Sequence, residues 1–331
     1  MSCHVATVWR RMRRIIGPAE YLPWNKSRVG LPVCLPCDEH CWRIWFSACN
    51  EQGQSDALCV DVDPSDAMNI LAFRQCPGLE RGGDGAFDSA GLMPGCVLAV
   101  DGCILLWYSG MRLRQDVPYE LAIGLAISED GGVSFRKVSE APVLTAGPDD
   151  AGLAHSPMVV HHPDGFEMWY AGGTEWTSFE GRVNPQYSLR CAHSPDGIHW
   201  TPAGPVFALA EQGIGAAGRP WFVASERPRL FFDVRGANRF REPTSGEAYR
   251  LHHAPLHGKT IRPAEIEPVV FTPVPTADDW DGWMQAYCCI VPFRDSHIMF
   301  YTGNGFGRAG FGYAVAEPVS GAEQIPDRGR S

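Results

Sequence analysis

The sequence predicts an all-β protein, a five-bladed β-propeller built from four-stranded antiparallel blades. Two landmarks repeat along the chain and lead to this prediction. The first is a short apolar strand that ends in aromatic residues. The last aromatic of each copy stands at Phe46, Tyr108, Tyr170, Phe232 and Tyr301, so the intervals are equal except for a slightly longer last one. A nearly fixed period of this kind is typical of a repeat architecture.

The second landmark is a strand with a proline near its start, which precedes each aromatic strand and keeps the same phase. It occurs at Pro32, Pro94, Pro157 and Pro220, and the fifth copy has Tyr287-Cys288 in that place and no proline. A third strand and Asp-Gly turns, such as Asp130-Gly131 and Asp196-Gly197, follow the aromatic strands. Asp-Gly favours a hairpin because glycine adopts positive φ without a Cβ clash. Each period therefore holds four short strands, the unit of a propeller blade.

We expect one domain, with blades at about residues 25–80, 81–147, 148–210, 211–275 and 276–317, and a flexible tail at 318–331. The fifth blade lacks a fourth strand of its own. Trp9 precedes Pro32 by almost the same interval by which Phe135 precedes Pro157. Residues 5–16 are therefore predicted to supply the outer strand of the last blade and close the ring, which removes an exposed sheet edge.

Charge and composition exclude several classes of partner. The net charge of −10 disfavours nucleic acid and anionic membranes. No apolar run long enough to span a membrane and no secretory signal in residues 1–24 are recognised, so the 12 cysteines predict a reducing, cytoplasmic location. Cys34, Cys37 and Cys41 have zinc-ligand spacing, but a strand–turn–strand would scatter them, and we predict no metal and no cofactor.

Blade geometry restricts where a ligand would bind. In a four-stranded meander the start of strand one and the loop between strands two and three lie on one face, and the Asp-Gly turns lie on the other. Polar residues at the first set of positions would converge at the axial mouth. They are Arg28, Asp88, His155, Arg219 and Asp281 at strand starts, and Asn50, Arg112, Asp116, Glu175, Trp176, Asp233, Arg235 and Asn304 in loops.

This set suits a polyhydroxylated or anionic small molecule, because it combines carboxylates, guanidiniums, an imidazole and an aromatic ring. A second interpretation is that Arg219 and Arg235 only pair with aspartates and join neighbouring blades. The 11 tryptophans are likewise interpreted mainly as core wedges, with a ring-binding cleft as the alternative.

Longer stretches of the repeat resemble a known family. They are residues 85–94, 106–110, 126–135, 168–170, 192–200 and 299–314, within a likeness that covers about residues 25–316. The chain resembles five-bladed propellers of the arabinanase, levansucrase and invertase superfamily, and more closely the uncharacterised bacterial proteins that look like glycoside hydrolase family 43. The resemblance implies the propeller fold and a sugar substrate.

The family's chemistry requires a carboxylate base, a second carboxylate that tunes a pKa, and a glutamic acid as proton donor. By motif these residues should stand at three positions, where this chain has Leu31, Ser156 and Gly218. Standard hydrolysis by that family therefore does not transfer to this sequence.

Other residues at the mouth could still supply acid–base chemistry. We predict a catalytic group drawn from Asp88, His155, Glu175 and Asp281, since such groups suffice for glycoside cleavage or proton transfer. The predicted substrate-binding residues are Arg28, Arg112, Trp176, Arg219, Asp233, Arg235, Tyr287 and Asn304.

Three functions remain open at this point. The first is a glycosidase-like enzyme acting on a small sugar or glycosylated metabolite. The second is a propeller recruited to biosynthesis as a lyase, cyclase or isomerase. The third is a carbohydrate-binding propeller without catalysis, which needs no matched acid and base. All three predict a small-molecule or carbohydrate partner, with no nucleic acid and no membrane.

Overall fold

The computed structural model describes residues 8–18, 27–147, 150–207 and 214–317. These residues are nearly all strand. The first strand is β1 (Val8–Ile16). Blade one follows as β2 (Arg28–Pro36), β3 (Trp42–Cys49), β4 (Ser55–Asp63) and β5 (Asn69–Arg74). Blade two is β6 (Gly91–Val100), β7 (Cys103–Leu113), β8 (Tyr119–Ser128) and β9 (Arg136–Lys137).

The later strands repeat the same order. Blade three is β10 (Ala154–His162), β11 (Gly165–Phe179), β12 (Arg182–Ser194) and β13 (Thr201–Pro205). Blade four is β14 (Ala216–Val223), β15 (Arg229–Arg235), β16 (Arg250–Pro255) and β17 (Glu267–Pro268). The strands β18 (Val270–Thr272), β19 (Ala286–Phe293), β20 (Ser296–Thr302) and β21 (Phe311–Ala316) complete the described chain, with a helical turn α1 (Asn304–Gly307) before β21.

Each group pairs as an antiparallel meander, and blades one and two are also joined by a single bridge between Ser55 and Gly91. The first strands β2, β6, β10, β14 and β19 contact one another in that order, and β19 contacts β2. This cyclic order is the one expected for a five-bladed ring. The fold is the all-β propeller that the sequence predicts.

The first strands bring the backbone close to the axis through a local irregularity. All five show a register shift at or near the repeat proline position. At this point Leu31, Ser156, Arg219 and Tyr287 have φ between 49° and 60°. Positive φ is uncommon for residues with a side chain, and such strained positions cluster at functional sites.

The N-terminal strand joins the last blade. β1 pairs antiparallel with β21, with Trp9 opposite Ala316, and β18 pairs parallel to β1 on its other side. This is the strand pair predicted from the position of Trp9, and we interpret it as the clasp of the ring. Residues 5–7 of the predicted strand and the predicted tail at 318–331 lie outside the described residues.

Large tryptophans fill the space between blades. Trp45, Trp107 and Trp169 occupy equivalent positions and are almost completely buried. Trp45 packs edge-on against Phe135 of blade two, with ring centroids 5.9 Å apart. The indole N–H of Trp107 donates to the carbonyl of Gly197 in blade three at 3.0 Å. These three tryptophans therefore serve the core, as wedges between adjacent sheets.

The Asp-Gly turns close blades two and three on the face opposite the strand-one starts. Asp130 accepts hydrogen bonds from the backbone N–H groups of Val133 and Ser134, and Asp196 from those of Ile198 and His199. The Ser134 hydroxyl, which donates to Asp130, and the backbone N–H of His199, which donates to Asp196, contribute most to holding the pKa of these carboxyl groups well below the usual range, and the other bonds add to them. The two aspartates stabilise turns. In the described part of the chain no helix is long and apolar enough to cross a membrane.

Candidate functional site

An open cavity of about 880 Å³ lies at the face where the first strands begin. Aromatic and basic side chains dominate its lining. Its arginines are Arg28, Arg241 and Arg308, its tyrosines are Tyr119, Tyr187, Tyr249 and Tyr287, and its other aromatic residues are Phe240, Trp283 and Phe306. Among the described residues, no aspartate or glutamate lines it. The cavity is therefore basic, although the whole protein carries a net charge of −10.

Four of the predicted site residues line this cavity: Arg28, His155, Tyr287 and Asn304. Leu31 and Ser156, which stand at two of the family's three carboxylate positions, also line it. The third position, Gly218, leaves no room for a larger residue. A Cβ atom there would lie 2.8 Å from Cε2 of Tyr187. The tyrosine ring thus fills the space that an acidic side chain would need.

The predicted catalytic residues Asp88 and Asp281 do not line the cavity, because both are held inside their blades. Asp88 is 2% exposed, pairs with Lys137 at 2.5 Å and accepts a hydrogen bond from the Tyr108 hydroxyl at 3.3 Å. Asp281 is fully buried. It accepts a hydrogen bond from the Tyr301 hydroxyl at 2.7 Å and pairs with Arg11 of β1.

Three other predicted residues lie outside the cavity wall, towards the ends of the second strands β7 and β11 and not in the loops that the sequence predicted. Glu175 is exposed near the far end of β11. Trp176 packs edge-on against Tyr119, which lines the cavity, and its indole N–H donates to the carbonyl of Ala151 at 2.9 Å. Arg112 forms an ion pair with Glu120 and donates to a backbone carbonyl. Of these three, only Trp176 supports the wall.

Arg219 and Asp233 lie below the cavity, near the axis. The Arg219 guanidinium is buried and donates to the carbonyls of Pro94 and Pro32, at 2.8 and 3.3 Å. It therefore joins the first strands of blades one, two and four. Burial raises the pKa of Asp233 well above its usual range, and one of its oxygens accepts the backbone N–H of Tyr287 at 2.9 Å. Both residues connect blades, but Arg219 does so through backbone carbonyls and not through the ion pair with an aspartate that the second interpretation of the sequence held.

Arg235 supports the cavity from behind through an aromatic cluster. Its guanidinium lies 3.9 Å from the centroid of the Phe240 ring and donates to the Tyr249 hydroxyl at 3.0 Å. Tyr249 in turn forms a very short hydrogen bond with Tyr187. Burial raises the pKa of the Tyr187 phenol well above its usual range. Both tyrosines line the cavity, so Arg235 fixes the orientation of two of its hydroxyl groups.

His155 is the one predicted acid–base residue in the wall. Its Nδ1 lies 2.9 Å from the Ser156 hydroxyl, and its ring packs edge-on against Tyr187. Burial, together with the charges of Arg219 and Arg235, lowers its pKa to about 3, so the ring is neutral at physiological pH. The Nε2 atom is buried and has no hydrogen-bond partner among the described residues. A buried polar atom in this state is costly unless something bonds to it.

Asn304 lines the cavity rim, but both ends of its side-chain amide already form hydrogen bonds to the backbone. Its Oδ1 accepts the backbone N–H groups of Trp283 and Met284, at 2.9 and 3.0 Å, and its Nδ2 donates to the carbonyl of Asp279. Beyond it, Gly305, Phe306 and Gly307 all have positive φ. This left-handed turn places Arg308 at the rim.

Several lining residues were missed in the prediction from sequence. The loops between strands two and three were correctly placed on this face, but Arg241 and Arg308 line the cavity there in addition to Asn304. Three tyrosines in or beside the third strands, Tyr119, Tyr187 and Tyr249, were not among the predicted positions. The interval of 62 residues between Tyr187 and Tyr249 is a signal that would have found two of them.

No protein-family model matches the chain. Two curated proteins of Mycobacterium tuberculosis, uncharacterized protein Rv1502 and uncharacterized protein MT1551, are each 33% identical to it over 313 residues. The alignment covers 93% of this chain and 99% of each relative. The chain belongs to their family. This relationship extends over nearly the whole propeller and therefore includes the cavity.

Solved structures with the same fold are glycoside hydrolases. One glycoside hydrolase has a TM-score of 0.67, 15% identity and 92% coverage of both chains. A GH43_1 enzyme of Xanthomonas citri has a TM-score of 0.55, 13% identity, and coverage of 92% of this chain and 90% of its own. A mutant GH32 β-fructofuranosidase of Bombyx mori in complex with sucrose has a TM-score of 0.61, 14% identity, and coverage of 88% and 59%. The family thus has the fold of the propeller glycoside hydrolases.

Proposed function

We propose that the protein binds a small carbohydrate in the axial cavity. One observation carries this proposal: the cavity combines flat aromatic side chains with hydroxyl and guanidinium groups, without a carboxylate among the described lining residues. Aromatic side chains offer rigid apolar faces with polar tips, and a few polar groups then fix the orientation of a ligand. The carbohydrate complexes of proteins with the same fold support the choice of ligand class.

A panel of mono- and disaccharides tests this proposal, read out by calorimetry and by the position of bound sugar in a crystal. We expect binding that weakens about tenfold when Trp283 is replaced by alanine, because a lining aromatic face is lost. The matched control is Trp200→Ala, since Trp200 lies beside the Asp-Gly turn of blade three and donates to Gly197. Sugar bound on that opposite face, or equal effects of the two variants, would contradict the proposal.

Acid–base catalysis by His155 is the second candidate function. It is favoured by the buried, unpartnered Nε2 atom in the cavity wall, which is free to form a hydrogen bond with a ligand hydroxyl. A lyase, cyclase or isomerase of this kind would lose its activity in His155→Asn but would still bind its ligand. Loss of binding together with activity would instead give His155 a binding role.

The glycosidase hypothesis draws its catalytic residues from Asp88, His155, Glu175 and Asp281, and these roles stay predictions. Release of reducing sugar from a glycoside panel measures them. Asp88→Asn and Asp281→Asn must remove that activity without unfolding the protein for the hypothesis to hold. The ion pairs that hold both aspartates inside the blades favour the binding proposal over this one.

We further propose a cytoplasmic location. No disulfide joins two cysteines of the described residues, which is the pattern expected in a reducing compartment. Cell fractionation of the native host tests this part of the proposal.

A further inference from the structure

Two arginines at the rim of the cavity lie next to each other in the fold. Arg28 begins β2, and Arg308 follows directly after α1, which packs against β2. The approach is close, because a Cβ atom at Gly307 would lie 2.3 Å from the carbonyl oxygen of Val29. Both side chains line the same cavity. The two arginines are therefore anchored at neighbouring backbone positions, at the junction of blades one and five.

Neither guanidinium has a partner within the described part of the protein. Arg28 and Arg308 form no ion pair and donate no side-chain hydrogen bond there, and no carboxylate lines the cavity around them. Carboxylates exceed cationic side chains in the whole chain, 38 to 28, and many other arginines are paired. Two cations that line one cavity without a carboxylate beside them give it a positive potential, which favours the binding of an anion.

The loop that carries Arg308 is built rigidly. Asn304 anchors it through three hydrogen bonds to the backbone, and the Phe306 ring packs against Tyr249 with centroids 5.6 Å apart. Phe306 has a φ of 60°, a conformation that residues with a side chain rarely adopt. Strain of this kind persists where the surroundings hold a functional group in place. The loop thus fixes the backbone position from which the Arg308 side chain extends.

A third arginine differs from this pair. Arg241 lies on the blade-four side, stacks 4.1 Å from the Phe240 centroid, and donates to the Asn184 side chain at 2.6 Å. It already has a hydrogen-bond acceptor, so it is suited to packing against a sugar ring. The cavity arginines without a side-chain hydrogen-bond acceptor among the described residues are Arg28 and Arg308.

We propose, building on the carbohydrate-binding function, that the ligand is an anionic sugar whose phosphate, sulfate or carboxylate group is bound by Arg28 and Arg308. Guanidinium groups match the geometry of these oxyanions and form charge-assisted hydrogen bonds with them. The sugar ring then lies over the aromatic side chains of the cavity wall, Trp283 among them. The overall negative charge of the protein would slow the approach of such a ligand, and the basic cavity offsets this locally.

Calorimetric titration of the intact protein tests the proposal with matched pairs of ligands. Each pair is a neutral sugar and its anionic derivative, such as glucose with glucose 6-phosphate, glucose 6-sulfate and glucuronate, and inorganic phosphate is titrated alone. We expect the preferred anionic sugar to bind at least about tenfold more tightly than its neutral parent, and its affinity to fall with added NaCl. Comparison of the three anions identifies which group is recognised.

Substitution of each arginine tests whether these two side chains bind the anionic group. Arg28→Gln and Arg308→Gln should each weaken binding of the anionic sugar about tenfold or more and leave the neutral parent within about twofold. Arg136→Gln removes the same charge from an exposed outer strand and should change neither. Thermal melting of each variant checks that it is folded.

The possible failures are distinguishable. If neutral and anionic sugars bind equally, or the arginine variants weaken both alike, the anionic ligand is excluded and carbohydrate binding stands. If inorganic phosphate binds as tightly as every sugar phosphate, the arginine pair is an anion site and the sugar proposal fails. If no ligand of the panel binds, both proposals fail.

Discussion

Blades two and five place an aspartate at the same point of the repeat, and the two sites can be compared directly. In both, an aromatic residue precedes the aspartate and stacks on a tyrosine, Phe87 on Tyr108 and Trp280 on Tyr301. The tyrosine hydroxyl donates to the aspartate, and a cation from the outermost strand of the meander pairs with it. That cation is Lys137 of β9 in blade two and Arg11 of β1 in blade five.

The difference lies in the cation. Arg11 donates to both oxygens of Asp281, and its side chain is 9% exposed, whereas Lys137 contacts one oxygen of Asp88 and is 23% exposed. The planar guanidinium suits a bidentate contact that an ammonium cannot make. The blade completed by a strand from the other end of the sequence therefore has the more buried ion pair. The carboxylates of both blades stabilise the walls, while Arg28 and Arg308 at the cavity stay unpaired in the described structure.

The largest effect is expected in blade five. Asp281→Asn leaves the buried Arg11 guanidinium with the partly exposed Asp279 as its remaining carboxylate partner, which should lower the free energy of unfolding by about 3 kcal/mol. Chemical denaturation measures this. Asp116→Asn, at an exposed residue, should change it by less than about 0.5 kcal/mol. Equal stability of the two variants would show that the pairing of β1 with its blade contributes little.

A smaller loss is expected for Asp88→Asn, about 2 kcal/mol, because the Lys137 ammonium reaches solvent and can be rehydrated. Double-mutant cycles over Asp88 with Lys137 and over Asp281 with Arg11 sharpen the comparison. We expect the larger coupling energy in blade five. The reverse order would mean that burial does not set the strength of these pairs.

Two histidines, one inside a blade and one in the cavity wall, predict that the stability of the protein depends on pH. Burial lowers the pKa of His253, inside blade four, to about 4 and that of His155 to about 3. Both rings bind a proton more readily in the unfolded chain, whose histidine pKa is about 6.5. The stability that they contribute is complete above about pH 6.5 and is lost as the pH falls towards about 3. Unfolding free energies at pH 7 and 5 should therefore differ less in His155→Asn than in the native protein.

The smallest effects on stability are expected at the rim. Arg28→Gln and Arg308→Gln remove charges that have no partner in the described structure, so each should change the unfolding free energy by less than about 0.5 kcal/mol. A small gain is consistent with relief of repulsion between the two cations. A loss of stability as large as that expected for Asp88→Asn would show that these arginines stabilise the blades.

The sequence predicted the repeat and the clasp better than the site, and the reason is physical. Strand periodicity and the positions of Trp9 and the repeat prolines reflect backbone geometry, which a single sequence records directly. Whether a side chain at a strand start points to the cavity or into a blade depends on its partners. Asp281 points inward because Arg11, some 270 residues away in the sequence, lies there to meet it. The role of Arg308 likewise depends on a left-handed turn that the pattern Asn-Gly-Phe-Gly does not reveal by itself.

The pairing of β1 with β21 has a consequence for folding during synthesis. The ribosome synthesises Trp9 roughly three hundred residues before Ala316. The strands β1 and β21 can therefore pair only when nearly the entire chain has been made. Contacts so distant in sequence close slowly. Until then β1 has an unpaired edge. The arginines of β1 keep this strand hydrated and disfavour its association with other chains. The arginines of β1 thus also protect this strand from aggregation during synthesis.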